Sequence, residues 1–167
     1  MTDVVVVPST ARVDRPSSDP DLVAHAGPRG RIRTILLATD LTPVSEEATS
    51  QAVELAASVG ARLLIVNVID PAASPDGARR SRIDQVRADR EPYLLDIVGR
   101  ARGRLVEAAY LLWTGEAGHS IVAAAEAEGA DLIVVGTRGL DRAGRFLLGS
   151  VSDHVVYHSR CPVLVAR

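Results

Sequence analysis

There is no lysine in this chain; all 19 of its basic residues are arginine. A Walker A loop sets a lysine on the phosphates of its nucleotide, so that motif is excluded. Cysteine is almost absent as well. Cys161 stands alone, so no intrachain disulfide can form, and a reducing compartment fits. Its place before Pro162, at the head of an apolar run, reads as a packed thiol rather than a reactive one. One Trp, one Phe and three Tyr are all the aromatic residues, too few to build stacking platforms for single-stranded nucleic acid. The net charge of −2 lacks the basic excess that a nucleic-acid or anionic-membrane surface needs. No run reaches the ~18 apolar residues of a membrane span. The four valines Val4–Val7 come with no basic region or longer apolar core of a secretory leader. The expected location is the cytoplasm. Also missing are a Gly-x-Ser-x-Gly nucleophile elbow and a GxGxxG dinucleotide fingerprint after the first strand.

What is present suits one domain with a sizeable core: 167 residues, 47% of them hydrophobic. Residues 1–31 read as a flexible tail, with Pro8, Pro16, Pro20, Gly27, Pro28 and Gly30 and no periodicity after the valines. Val4–Val7 is the one part of it able to add an edge strand. From residue 32 to 167, apolar runs alternate with helical stripes. Thr34–Thr39 and Arg62–Ile69 are apolar without alternation, as strands buried on both faces are; Asn67 is the polar exception. Between them Thr42 and Pro43 open a helix with a stripe of Ala48, Ala52, Leu55, Ala56 and Val59, stopped by Gly60. Arg79–Arg102 is helical but contains Pro92, which predicts a kink or two helices. Its arginines, interleaved with acids, read as a solvated face. Leu105–Trp113 is a third, more mixed strand, and Ala117–Glu128 a helix ended by Gly129. Asp131–Val135 is the fourth strand, Ser150–Ser159 the last helix and Pro162–Ala166 the last strand. This alternation predicts a doubly wound α/β sheet with right-handed crossovers. Ligands in such sheets lie beyond the carboxyl ends of the strands, where strand order reverses. Asp40, after the first strand, and Gly136, after the fourth, are expected to line that crevice.

The most informative stretch follows the fourth strand. Gly136, Gly139 and Gly149 are spaced by two and then nine residues, and Ser150 follows directly, ahead of a helix. A helix start offers free N–H groups and partial positive charge, and glycines let a backbone approach an anion. Phosphate binding is one reading. The other is plain architecture, with Ser150 as helix cap and Asp153 as its capping-box partner.

That spacing, together with Leu148-Gly-Ser-Val151, Cys161-Pro-Val-Leu-Val165 and Asp131-Leu-Ile-Val-Val-Gly136, resembles the universal stress protein family in its nucleotide-binding branch. The resemblance covers about residues 32–167. It implies a Rossmann-like, five-stranded parallel sheet of order 3-2-1-4-5 that binds ATP, with Mg2+ as a companion and AMP or ADP as variants. It implies that Asp40 faces the ribose and Val68 lies beside the adenine. Gly136 and Gly139 run along the ribose and phosphates, and Gly149 and Ser150 hold the phosphates. It further implies a homodimer through the last strand, 162–166, whose apolar edge is unprotected by charge until Arg167.

The resemblance implies a regulatory, stress-response module whose nucleotide occupancy tunes contact with a protein partner. Two alternatives stand beside it: slow ATP hydrolysis, and a dimeric interaction module with an unused pocket. For hydrolysis the chain offers Asp40 and Asp141 but no catalytic set. Arg138, Arg142 and Arg145 share the glycine loop and read as solvent-exposed. His154 and His158, four apart on a helix, have the spacing of two metal ligands. No further ligand at suitable spacing joins them beyond Asp153, and His25 and His119 look isolated, so no metal is expected.

Overall fold

Five apolar runs become five parallel strands in the computed structural model, which describes residues 5–6, 31–70, 79–137 and 149–166. The strands are β2 (Thr34–Ala38), β3 (Arg62–Ile69), β4 (Ala108–Thr114), β5 (Leu132–Gly136) and β6 (Val163–Ala166). A two-residue strand, β1 (Val5–Val6), precedes them. The sheet order is β1-β4-β3-β2-β5-β6. Without β1 this is the expected 3-2-1-4-5 order. β1 runs antiparallel to β4, pairing Val5 with Leu112 and Val6 with Leu111, so part of the valine run does join an edge.

The central strands have no solvent-facing side. Ile35, Leu36, Leu37, Leu63, Ile65, Ile133 and Val134 are all fully buried, which explains their unbroken apolar sequence. The helices are α1 (Glu46–Val59), α2 (Arg79–Gly103), α3 (Ala117–Ala127) and α4 (Ser150–His158). One face of the sheet packs on α1 and α2 through Leu37, Ile65, Ala52, Leu94 and Val98. The other packs on α3 and α4 through Leu36, Val66, Ile121, Ala125 and Val155.

The structure refines one expectation and corrects another. Of the two outcomes allowed for Pro92, α2 continues as one helix rather than splitting in two. Pro92 is on the exposed side, where the carbonyl it deprives of a partner can bond water, so the helix need not break. The third strand begins at Ala108, not Leu105. Leu105 has φ 61 and is 98% exposed; it belongs to the turn that closes α2, where Arg104 and Leu105 donate back to Ala101 and Arg102.

Candidate functional site

β2 lies between β3 and β5, so the connections on its two sides leave in opposite directions. Their divergence opens a cleft of about 370 Å3 at the carboxyl ends of the strands. Its floor is apolar: Ala38, Val66, Val68 and Val135 from the sheet, with Ile121 from α3. Its rim is polar: Thr39, Asp40 and Thr42 after β2, and Gly149 and Ser152 at the start of α4. Asp40, Val68, Gly136 and Gly149 therefore come together as the sequence predicts. Ser150 is the first residue of α4 and is exposed, next to the cleft rather than part of its wall. Gly139, Asp141, Arg138, Arg142 and Arg145 lie outside the described residues.

The rim at β2 is held by a short hydrogen-bonded turn. Asp40 Oδ1 accepts from the Thr42 amide at 3.1 Å and from the Thr42 hydroxyl at 2.7 Å, an aspartate-centred turn. Leu41, between them, has φ 63, a left-handed conformation that a leucine adopts only where its surroundings enforce it. The enforcing bonds are identifiable. The Leu41 amide donates to Thr39 Oγ1 at 3.1 Å. Ser45 Oγ donates to the Thr42 carbonyl at 2.9 Å. That spends the only proton on Ser45, so Thr39 is the donor in the 2.9 Å Thr39–Ser45 contact. Partial burial pushes the Asp40 carboxyl up, but hydrogen bonds, led by those from the Thr42 hydroxyl and amide, outweigh it and leave it below its ordinary value. It is a fixed carboxylate, with acceptor capacity left for a hydroxyl donor in the cleft.

Behind the floor is a residue that sequence reasoning missed. Arg90, read above as part of a solvated face, is half-buried. Its Nη1 donates to Asn67 Oδ1 at 2.6 Å and to the Val68 carbonyl at 2.9 Å. Asn67 is fully buried and donates to the Thr39 carbonyl at 2.8 Å. Burial lowers the guanidinium pKa, against the opposing pull of Asp40. One arginine thus ties α2 to the ends of β3 and, through Asn67, to β2. The signal was the lone polar residue in a buried strand: a buried amide requires partners.

On the opposite rim, α4 starts at Gly149 with φ −64 and ψ 155 and no side-chain cap. Ser150 is not the cap that the architectural reading assigns it. Ser152 bonds the Gly149 carbonyl at 2.9 Å instead. The first-turn amides of α4 have no acceptor within the helix, and the helix dipole favours an anion there. A Cβ on Gly136 would point towards α1, 3.6 Å from Ala48 Cβ and 3.7 Å from the Ser45 Cα, both ordinary contacts. Gly136 lines the cleft with its backbone.

Among the described residues, no helix is long and apolar enough to cross a membrane. Residues 31–167 match the Universal stress protein family. A universal stress protein of Thermus aquaticus, described by its position in the QAH/OAS sulfhydrylase 3'region, is 38% identical over 144 residues, covering 81% of this chain and 98% of its own. A solved universal stress protein in complex with cAMP superposes with a TM-score of 0.64 at 27% identity, over 82% of this chain and 98% of its own. The universal stress protein from Archaeoglobus fulgidus in complex with dAMP gives 0.62 at 25% identity, over 81% and 98%. Sheet order, cleft and these relatives agree: the chain belongs to the universal stress protein family.

Proposed function

We propose that the cleft binds an adenine nucleotide, with ATP as the ligand in the cell. The observation that carries this is the pairing across one apolar cleft of a fixed carboxylate, Asp40, with an uncapped helix start at Gly149. A nucleotide has the complementary order of groups. Its ribose hydroxyls donate to Asp40. Its base lies on Val68 and the neighbouring floor. Its phosphates accept from the first amides of α4 and from the Ser150 hydroxyl, with Gly136 and Gly139 along the way. The cAMP and dAMP in the two related structures support an adenine ligand. Triphosphate preference and an accompanying Mg2+ rest on the resemblance alone.

The same reading makes the protein a cytoplasmic regulatory module, a homodimer joined through β6, whose occupied and empty states differ towards a protein partner. The outer edge of β6 carries no strand among the described residues, and Val163, Leu164 and Val165 on it are half-buried. Hydrolysis has less support, because the sequence offers Asp40 and Asp141 but no arrangement of groups to position a metal and an attacking water.

The test is to denature freshly purified, untagged protein, identify the released small molecules by mass spectrometry, and titrate ATP, AMP and cAMP into emptied protein by calorimetry. Co-purified or tightly bound ATP supports the proposal. Mg2+-dependent appearance of ADP would favour the hydrolase. An empty protein that binds none of the three would defeat the nucleotide reading.

A further inference from the structure

The histidines that look isolated along the chain are gathered by the fold. Glu116 caps α3, its Oε1 accepting from the Gly118 amide and its Oε2 from the His119 amide, each at 3.0 Å. The His119 ring, on the first turn of α3, meets the same carboxylate through Nδ1. His154 comes across from α4, its ring centroid 4.2 Å from that of His119. It can do so because residue 118 is glycine: a Cβ there would lie 2.7 Å from His154 Cγ. One carboxylate oxygen and one ring nitrogen from each of the two histidines then lie within 4.8 Å of one another. His158, one turn on, stacks on His154 at 4.1 Å, while its Nδ1 bonds the His154 carbonyl at 2.8 Å.

We propose that Glu116, His119 and His154 form a site for a divalent transition-metal ion of the zinc class, joining the start of α3 to α4. Two imidazoles and a carboxylate are a three-ligand zinc set with an open fourth position. Mg2+ and Ca2+ seek all-oxygen shells and are disfavoured. Bonds of about 2.0–2.2 Å require the three ligand atoms to readjust from their present spacing; Glu116 and His119 are exposed, and His154 is half-buried against Gly118. Glu116 keeps two oxygens with lone pairs beyond its capping bonds. The protonation states agree with this geometry. Hydrogen bonds from the His119 amide and ring and the Gly118 amide hold the Glu116 carboxyl at about 2. Burial, then the neighbouring His158 and His119, lower His154 towards the neutral form that binds metal, against Glu116 and Asp153. Both helices also line the cleft, through Ala117 and Ile121 on one and Val151 and Ser152 on the other. An ion here therefore fixes one dimension of the cleft. The site does not depend on what the cleft binds.

The experiment is calorimetric titration of Zn2+ into full-length, untagged protein stripped with chelator, with Mg2+ as comparison and Co2+ absorption as a reporter of coordination. One Zn2+ per chain is expected, with no Mg2+ heat at the same concentration. His119→Gln and His154→Gln should each weaken Zn2+ by roughly tenfold or more and remove the Co2+ bands. Gly118→Ala should weaken it by displacing the His154 ring. The His119 side chain is 75% exposed, so its replacement spares the fold, and far-UV circular dichroism checks this. Absence of Zn2+ binding, or equal affinity in the His119→Gln/His154→Gln double variant, would overturn the proposal. Binding lost in His158→Gln but kept in His119→Gln would also overturn it, by moving the ion to the pair on α4.

Discussion

Two of the helix starts beside the cleft, those of α3 and α4, carry the same dipole and are finished in opposite ways. α3 is closed by its own carboxylate: Glu116 takes the amides of Gly118 and His119. α4 begins at Gly149 with no side-chain cap. An external anion finds the first already satisfied and the second open. A helix start becomes a binding site by what is left off it, so the uncapped end matters more than the dipole both share.

The strongest way to break this difference is to close α4 as α3 is closed. Gly149→Asp installs a preferred capping carboxylate where phosphate is proposed to sit. ATP affinity should fall by about 100-fold, the scale of losing charge-assisted hydrogen bonds, while thermal stability holds or rises; calorimetry and melting on the same sample read both. Asp40→Ala removes the partner on the opposite rim. It should cost about tenfold in affinity and about 1 kcal/mol in stability through the lost Thr42 turn, measured by titration and urea unfolding. Arg90→Met orphans the buried Asn67 amide and should destabilise by about 1–2 kcal/mol. Opening α3 instead, with Glu116→Gln, gives a smaller effect that depends on pH. The Glu116 carboxyl lies at about 2 in the fold against an ordinary 4.5, so its contribution is complete above about 4.5 and is lost as pH falls towards about 2. The melting-temperature gap between wild type and Glu116→Gln should therefore be wider at pH 7 than at pH 3. Gly136→Ala sharpens the picture from the other side. Its Cβ points to α1, so stability and ATP affinity should both change by less than about 1 kcal/mol.

The sheet was legible because its strands are buried on both faces, and burial on both faces writes an unbroken apolar run such as Leu132–Val135 into the sequence. Asp40 and Gly136 were legible as cleft-lining positions because strand ends are fixed by that same pattern, whereas Val68 and Gly149, which also line the cleft, came from the family resemblance. Side-chain partnerships across elements leave no such trace. Nothing in the sequence around Arg90 marks it out from the other arginines of α2; what sets it apart is its reach to Asn67 on β3. His119 and His154 are far apart in the chain, and only the packing of α3 on α4 joins them. Pro92 removes a hydrogen bond from α2 without splitting it in two, because on a wet helix face water can replace the missing partner.

The margins of the sheet limit how copies can accumulate. Among the described residues the outer edge of β6 carries no strand, whereas β4 is partly overlaid by β1, two residues against the seven of β4. Two chains meeting at β6 about a two-fold axis consume the same margin on each. In the proposed dimer, strand addition at β6 is spent on the pair and the β4 margin is shortened by the chain's own Val5 and Val6.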